Sequence, residues 1–445
     1  MIYTGFFVCK MKKTAYQKCL DKIYTLGRFG IKLELDTILN ILEVLNNPQK
    51  NYHLVHVAGT NGKGSTATYI ASILQKAGFK TGIYTSPHLV KFNERISING
   101  THISNDQIVA AYEAVHAADT GKRKATFFEI ATAMGFYHFS RETVDWAVIE
   151  TGMGGRFDAT NVINPEISVI TNLSIEHTDY LGKTIKDLAR EKGGIIKYHT
   201  PAVIGVSQPS GLAVIQQIAR EKASDLFVYK KDFSFRKNPK QDTYTYRGLN
   251  KNFHHIVKPL LGDHQKENLS LALAACELIF NKLKHTDTKY NFTETLVQEG
   301  LLLAKWPGRL EHVRQNPLVI LDGAHNLMAA RILGKHLSST LKNRKLTLVI
   351  GILDDKPYED MLKSLVPCAQ QIIITKAKIN RSLDPAILKT AAQRFTRCPV
   401  TIIEDVKAAV THAIDTSNAE DAICIAGSLY VVGEAKEKFE NDLEY

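Results

Sequence analysis

The chain has 445 residues, 44% hydrophobic and 23% charged, an ordinary globular composition long enough for two domains. No apolar run approaches the roughly 20 residues of a membrane span, and six scattered cysteines without a C-x-x-C pair exclude a zinc knuckle or a disulfide framework and fit a reducing cytoplasm. A formal charge of +11 calls for anionic partners, but the basic residues are dispersed and no base-reading module accompanies them, so small polyanions explain the surplus as well as nucleic acid does.

The opening MIYTGFFVCKMKK places its basic residues after the apolar patch, the reverse of a signal peptide, and Met11 is an alternative start. The apolar strand 54–58 then runs into V-H-V-A-G-T-N-G-K-G-S-T (55–66) and a helix expected over 65–77. Glycines that admit backbone N–H groups, a mobile Lys63 and a helix N-terminus are three devices that hold polyphosphate. The loop is not a regular Walker A, because Lys63 is followed by Gly64 and Val57 stands five residues before Gly62. Strand 81–84, helix 127–140 and strands 144–150 and 167–171 follow. Continuous apolar strands joined by helices predict a mostly parallel sheet covered on both faces. Residues 233–247 read as a small antiparallel addition, and helix 265–283 closes this part. Strands 318–321, 346–350, 371–375, 400–403 and 422–426 then alternate with helical patterns. The expectation is an α/β protein: a P-loop-containing parallel-sheet ATPase domain, 1–304, followed by a smaller Rossmann-like α/β domain, 305–445.

In parallel α/β sheets ligands bind beyond the carboxyl ends of the strands. Glu150 ends one strand beside the phosphate loop, where a magnesium ligand is needed, and a solvated strand-end carboxylate is the plain alternative. Gly152, Gly154 and Gly155 suggest close backbone approach to a ligand, with Arg156 adjacent. His177 and the Thr85-Ser86-Pro87-His88 segment also follow strands, although a lone histidine is more often structural. Asp322 either caps the next helix or accepts from a ribose hydroxyl, and Arg309 either reaches phosphate across the cleft or is an exposed interdomain arginine.

Several strings in order resemble the folylpolyglutamate synthase and dihydrofolate synthase family of the Mur ligase superfamily. They include R-F-G-I-K-L-E-L (28–35), G-T-N-G-K-G-S (59–65), T-S-P-H-L (85–89), F-N-E-R-I (92–96) and E-T-G-M-G-G-R-F-D-A-T-N (150–161). Further on come I-E-H-T-D-Y-L-G (175–182), E-K-G-G-I-I-K (191–197), H-Q-K-E-N (264–268), W-P-G-R-L-E (306–311), D-G-A-H-N (322–326) and G-S-L-Y (427–430). The resemblance implies ATP-dependent addition of L-glutamate to a folate-type carboxylate through an acyl phosphate. It implies ATP contacts at Gly59, Thr60, Asn61, Gly62, Lys63, Gly64, Ser65, Asn268, Arg309 and Asp322. It also implies Mg2+, as two ions, at Ser86, Glu150, His177 and a carbamylated Lys192. Lys63, Lys192 and His325 are the catalytic candidates, with His325 on the glutamate side.

Arg28, Phe29, Gly30, Phe128, Gly154, Gly155 and Arg156 are the expected pteroate or folate contacts. Gly154-Gly155-Arg156 with Asp158-Ala159-Thr160-Asn161, plus Phe127-Phe128-Glu129, resembles members that take dihydropteroate as well as reduced folates, so a bifunctional enzyme is expected, with folylpolyglutamate synthase alone as the alternative. Gly193, Glu176 and Leu269 depart from the usual alanine, aspartate and alanine, and none removes a proposed ligand atom. A cytoplasmic monomer with no nucleic-acid or membrane partner is expected. The remote alternative is a P-loop ATPase acting on nucleic acid.

Overall fold

The computed structural model describes residues 13–29 and 34–441; the Met11 start lies outside them. Eight strands build the first sheet: β1 His53–Ala58, β2 Thr81–Tyr84, β3 Ile96–Ile98, β4 Thr101–His102, β5 Trp146–Glu150, β6 Ile167–Ile170, β7 Ala202–Ile204 and β8 Leu226–Val228. Their order is β4-β3-β2-β5-β1-β6-β7-β8, parallel from β2 through β8, with an antiparallel edge at β3 and β4. The first strand therefore lies between β5 and β6, which places the loop after it at the point where the chain turns to either side of the sheet.

Alternation along the strands divides the interior into layers. Val55, Val57, Val148 and Val169 face a core shared with helices Lys63–Lys76, Gln265–Thr286 and Glu294–Leu303, while Leu54, Ala147 and Ile149 face one shared with helices Asn105–Ala118 and Phe127–Arg141. Helix Glu294–Leu303 lies very close to Lys63–Lys76: a Cβ at Gly300 would stand 2.9 Å from Ile73 Cα. This helix lies beyond the one expected to close the first part. The aromatic stretch does form an antiparallel sheet, β9 Ser234–Lys237, β10 Tyr244–Arg247 and β11 Asn252–Ile256. Phe235, Tyr244, Tyr246 and Phe253 pin it to the same core.

The second sheet comprises β12 Glu311–Gln315, β13 Leu318–Leu321, β14 Leu346–Ile350, β15 Gln371–Ile374, β16 Val400–Ile402 and β17 Ala422–Ala426, in the order β12-β13-β17-β14-β15-β16. Only β12 runs antiparallel to its neighbour among the described strands of this sheet. Helices Leu327–Thr340, Tyr358–Leu365 and Pro385–Ala392 cover one face; Val406–Asp415 and Leu429–Asn441 cover the other. The first sheet with its helices ends at Leu303, and the connecting segment carries Trp306 and Arg309. Among the described residues no helix is long and apolar enough to cross a membrane.

Candidate functional site: a nucleotide cleft joined to an aromatic pocket

The loop after β1 is fixed from outside. Thr60 N–H donates to Asn172 O (2.9 Å) and Asn61 N–H to Asn172 Oδ1 (3.1 Å), while Thr171 Oγ1 and Asn172 Nδ2 donate to Asn61 O at 2.7 and 2.9 Å. Gly62 takes the left-handed conformation (φ 84°) and is the N-cap, so the helix starts at Lys63, two residues earlier than expected. The first backbone bond of that turn runs from Thr66 N–H to Gly62 O (2.9 Å). The N–H groups of Lys63, Gly64 and Ser65 precede it and point out of the helix end, ready for an anion. Lys63 Nζ meanwhile donates to Thr60 O at 3.1 Å.

The three loop glycines have separate causes. An added Cβ would lie 1.9 Å from Thr171 Oγ1 at Gly59, 2.1 Å from Asn268 Oδ1 at Gly62 and 2.1 Å from Trp306 Cζ2 at Gly64. Asn268 in turn donates to Gln265 Oε1 (2.9 Å), and Gln265 Nε2 donates to Ser65 Oγ (3.2 Å). The start of helix Gln265–Thr286 thus sets the floor of the loop.

Glu150, Ser86 and His177 line the same cleft as the loop. Glu150 is buried and accepts from Ser86 N–H at 3.1 Å; burial raises its carboxyl pKa, against the pull of Lys63 and that N–H. His177 is exposed at the mouth in a left-handed conformation (φ 49°). Among the described residues no group of three or more His, Cys, Asp or Glu side chains forms a ready-made metal cage. A buried carboxylate, a hydroxyl and an imidazole beside a phosphate loop still suit Mg2+, which takes few protein ligands and keeps water and phosphate for the rest.

Lys192, on helix Ile185–Gly193, is 1% exposed. Its Nζ donates to Gly59 O at 2.9 Å and lies 3.6 Å from Glu176 Oε1, and burial draws its pKa down to about 8. Burial alone would raise the Glu176 carboxyl, but Lys192 and Lys63 outweigh it and the net shift is downward.

The second domain closes the cleft with Arg309, Asp322 and His325. Arg309 is half-buried, not exposed between domains, and its Nη1 donates to Gly308 O (3.0 Å). Asp322 does not cap the following helix: it accepts from Leu310 N–H (2.9 Å) and Ala324 N–H (3.0 Å), and Asn326 is the cap, accepting from Ala329 N–H at 2.9 Å. His325 Nδ1 bonds to Gly323 O at 2.8 Å, so Nδ1 carries the proton and Nε2 keeps its lone pair. Burial draws the imidazole pKa down to about 4, leaving it neutral near pH 7.

A second pocket of about 400 Å³ adjoins the first. It is lined by Arg95, Phe127, Phe128, Met153, Phe157 and Asp158, and it shares Ser86, Pro87 and Gly152 with the nucleotide cleft. Of the expected pteroate contacts, Phe128 lines it. Gly154, Gly155 and Arg156 do not: Arg156 is exposed and lies over the Phe157 ring (4.8 Å). Each glycine of this segment also makes room for the protein itself. An added Cβ would meet Phe128 Cζ at 2.3 Å from Gly152, Leu181 Cδ2 at 2.9 Å from Gly154 and Glu191 O at 2.8 Å from Gly155. Arg28 and Phe29 belong to the turn Leu26–Phe29, whose own Gly27 lines the pocket, and Gly30 lies outside the described residues.

Sequence reasoning missed Trp306, His264, Arg95 and Phe157 as lining residues, while Asp158 stood in the dihydropteroate signature. All of these residues belong to the family motifs, yet nothing local says which way their side chains point.

The family model of the Mur ligase middle domain matches residues 57–276, and that of the Mur ligase glutamate ligase domain matches 308–429. The chain is 35% identical to the dihydrofolate synthase/folylpolyglutamate synthase of Bacillus subtilis over 435 residues, 96% of this chain and 99% of that one. It superposes with a TM-score of 0.87 and 33% identity on the Mycobacterium tuberculosis folylpolyglutamate synthase complexed with ADP, covering 96% of this chain and 99% of that one. A bifunctional folylpolyglutamate synthase/dihydrofolate synthase from Yersinia pestis, complexed with AMPPNP and Mn ion, gives 0.84 at 26% identity, covering 96% and 100%. With both Mur ligase domains matched and the B. subtilis relative aligned along nearly its whole length, this chain belongs to the dihydrofolate synthase/folylpolyglutamate synthase family.

Proposed function

We propose that the chain uses ATP to join L-glutamate to folate-type carboxylates, accepting both dihydropteroate and reduced folates. The observation that carries this reading is the junction at Ser86, Pro87 and Gly152, where the nucleotide cleft opens into the aromatic pocket. A flat pterin ring among Phe127, Phe128 and Phe157 would project its carboxylate toward the phosphate loop. Asp158 offers a buried carboxylate to ring N–H groups. The two activities in the name of the B. subtilis relative support the bifunctional reading.

Lys63 and the free N–H groups of Lys63, Gly64 and Ser65 hold the triphosphate, and Arg309 approaches it from the second domain. Glu150, Ser86, His177 and a carbamylated Lys192 would hold Mg2+, which offsets charge on the phosphoryl oxygens when bound. Asn268 and Asp322 frame the nucleotide. The substrate carboxylate attacks the terminal phosphorus, ADP leaves, and an acyl phosphate remains. His325 Nε2, neutral and unprotonated, takes a proton from the incoming glutamate ammonium. The freed amine attacks the acyl carbon, and phosphate leaves as the amide forms. Closure between Asn61 and Asn326 keeps water from the acyl phosphate.

The test is ADP release in tubes containing ATP, Mg2+ and glutamate, with dihydropteroate or tetrahydrofolate added separately. Release that needs glutamate and either pteroate supports the reading. Release with tetrahydrofolate only reduces it to folylpolyglutamate synthase, and release indifferent to both rejects it.

A further inference from the structure

Asn61 and Asn326 are the loop and second-domain partners of one hydrogen bond, Asn326 Nδ2 to Asn61 Oδ1 at 2.9 Å. Each amide has a fixed direction. Asn326 Oδ1 is committed to Ala329 N–H at 2.9 Å, because it is the helix cap. Its Nδ2 must therefore face the loop. A donor facing Asn61 obliges that residue to present Oδ1, which turns its own Nδ2 the other way. Asn61 lines the nucleotide cleft, and this Nδ2 is buried without a partner among the described residues. A buried unpaired donor carries its full desolvation cost, so it marks a place where a ligand acceptor belongs. The backbone of Asn61 cannot serve instead, since its N–H and C=O are held by Thr171 and Asn172.

We infer that Asn326 is a positioning residue: through its cap-fixed amide it holds Asn61 Nδ2 toward a phosphate oxygen of bound ATP. This rests on the ATP reading above. The two side chains form a relay from the helix end of one domain to the nucleotide held by the other, and the relay is complete only when the domains meet. The same contact that shuts the cleft thus orients a phosphate donor.

Three variants and a double variant test this: Asn326→Ser, Asn326→Asp, Asn61→Ala, and Asn61→Ala with Asn326→Ser. Serine and aspartate cap helices about as well as asparagine, so both Asn326 variants are expected to melt with the wild type. Binding of the non-hydrolysable β,γ-methylene analogue of ATP, measured by calorimetry, should weaken about tenfold in Asn326→Ser, the scale of one hydrogen bond to a charged group. It should weaken further in Asn326→Asp, where the second carboxylate oxygen draws Asn61 Nδ2 away and turns Oδ1 to the phosphate. Asn326→Ser added to Asn61→Ala should cost nothing more. Wild-type affinity in both Asn326 variants, or an undiminished loss in the Asn61→Ala background, would overturn the inference while nucleotide binding itself stands. A wild-type protein that binds no nucleotide would overturn the ATP reading and this inference together.

Discussion

The indole of Trp306 lies directly against Gly64, close enough that a methyl group there would sit 2.1 Å from its Cζ2. Gly64 is one of the two residues that separate this loop from a regular Walker A, and the segment between the domains supplies the reason for it. The aromatic ring occupies the space where a side chain would project, and it also lines the nucleotide cleft. Gly64→Ala is expected to displace the ring or the loop and to weaken ATP binding about tenfold or more, on the scale of a strained packing contact. Trp306→Ala in the same chain should return part of that loss, because the clash partner is gone. Equal affinity in Gly64→Ala and wild type would contradict the packing account.

Trp306 also gives a direct readout. The chain has two tryptophans, and Trp146 lies buried in the strand β5 core. In a Trp146→Phe variant the remaining emission comes from Trp306 and should change in intensity or wavelength on adding ADP. An unchanged spectrum at saturating ADP, with binding confirmed by calorimetry, would place the nucleotide away from this ring.

Glu150→Gln keeps the shape of the side chain and removes its charge. Its oxygens are buried, and one accepts from Ser86 N–H, a bond that the glutamine carbonyl can keep. Folding should therefore survive, while the loss of charge at the metal position should lower kcat by about 100-fold or more, as for other preorganised electrostatic groups. Mn2+ binding followed by electron paramagnetic resonance should weaken in parallel. Wild-type kcat in this variant would remove Glu150 from the metal site.

The positions of Glu150, Ser86 and Asp322 were legible because of one geometric rule: parallel strands bring their carboxyl ends to one edge, so a polar residue after a strand is already near the ligand. Strands β13 and β17 match the expected bounds because each is a short continuous apolar run buried on both faces, and β14 matches with only Thr347 interrupting its apolar run. The three-residue strands β7 and β8 are too short to carry a period of their own, and the edge strand β12 is polar at every position but Val313. The glycines carry a mixed signal: Gly152 lines both pockets, while Gly155 lines neither and is crowded by Glu191, a remote residue of the same chain. Likewise nothing local shows Arg156 turning outward while Arg95 turns in, its Nε 2.8 Å from His88 Nδ1.

Lys192 offers a chemical test. Its Nζ is buried between Gly59 O and Glu176, and carbamylation would replace a cation beside the phosphate loop with an anion able to ligate magnesium. Incubation with 13C-bicarbonate should give a carbamate carbon resonance that is absent from Lys192→Ala. That variant should be nearly inactive and should recover in part with added short-chain carboxylic acids occupying the vacated space. A wild-type spectrum without the resonance, together with no recovery, would leave Lys192 a structural lysine.

Acid should destabilise the fold through histidines buried in neutral form. His56 is fully buried on β1, its Nε2 2.8 Å from Thr160 Oγ1, whose proton goes to Asp158 at 2.5 Å. The imidazole is therefore the donor in that contact, and burial, reinforced by Lys197, lowers its pKa from 6.5 to about 3. The unfolded chain binds the proton first as pH falls, so this stability is fully present above about pH 6.5 and is lost progressively below it. One such site accounts for on the order of 2 kcal/mol between pH 7 and pH 5. His56→Gln retains an amide donor for Thr160 but cannot titrate. Its urea midpoint should thus fall less steeply over that interval than the wild type's. Parallel curves for the two proteins would show that His56 does not carry the acid response.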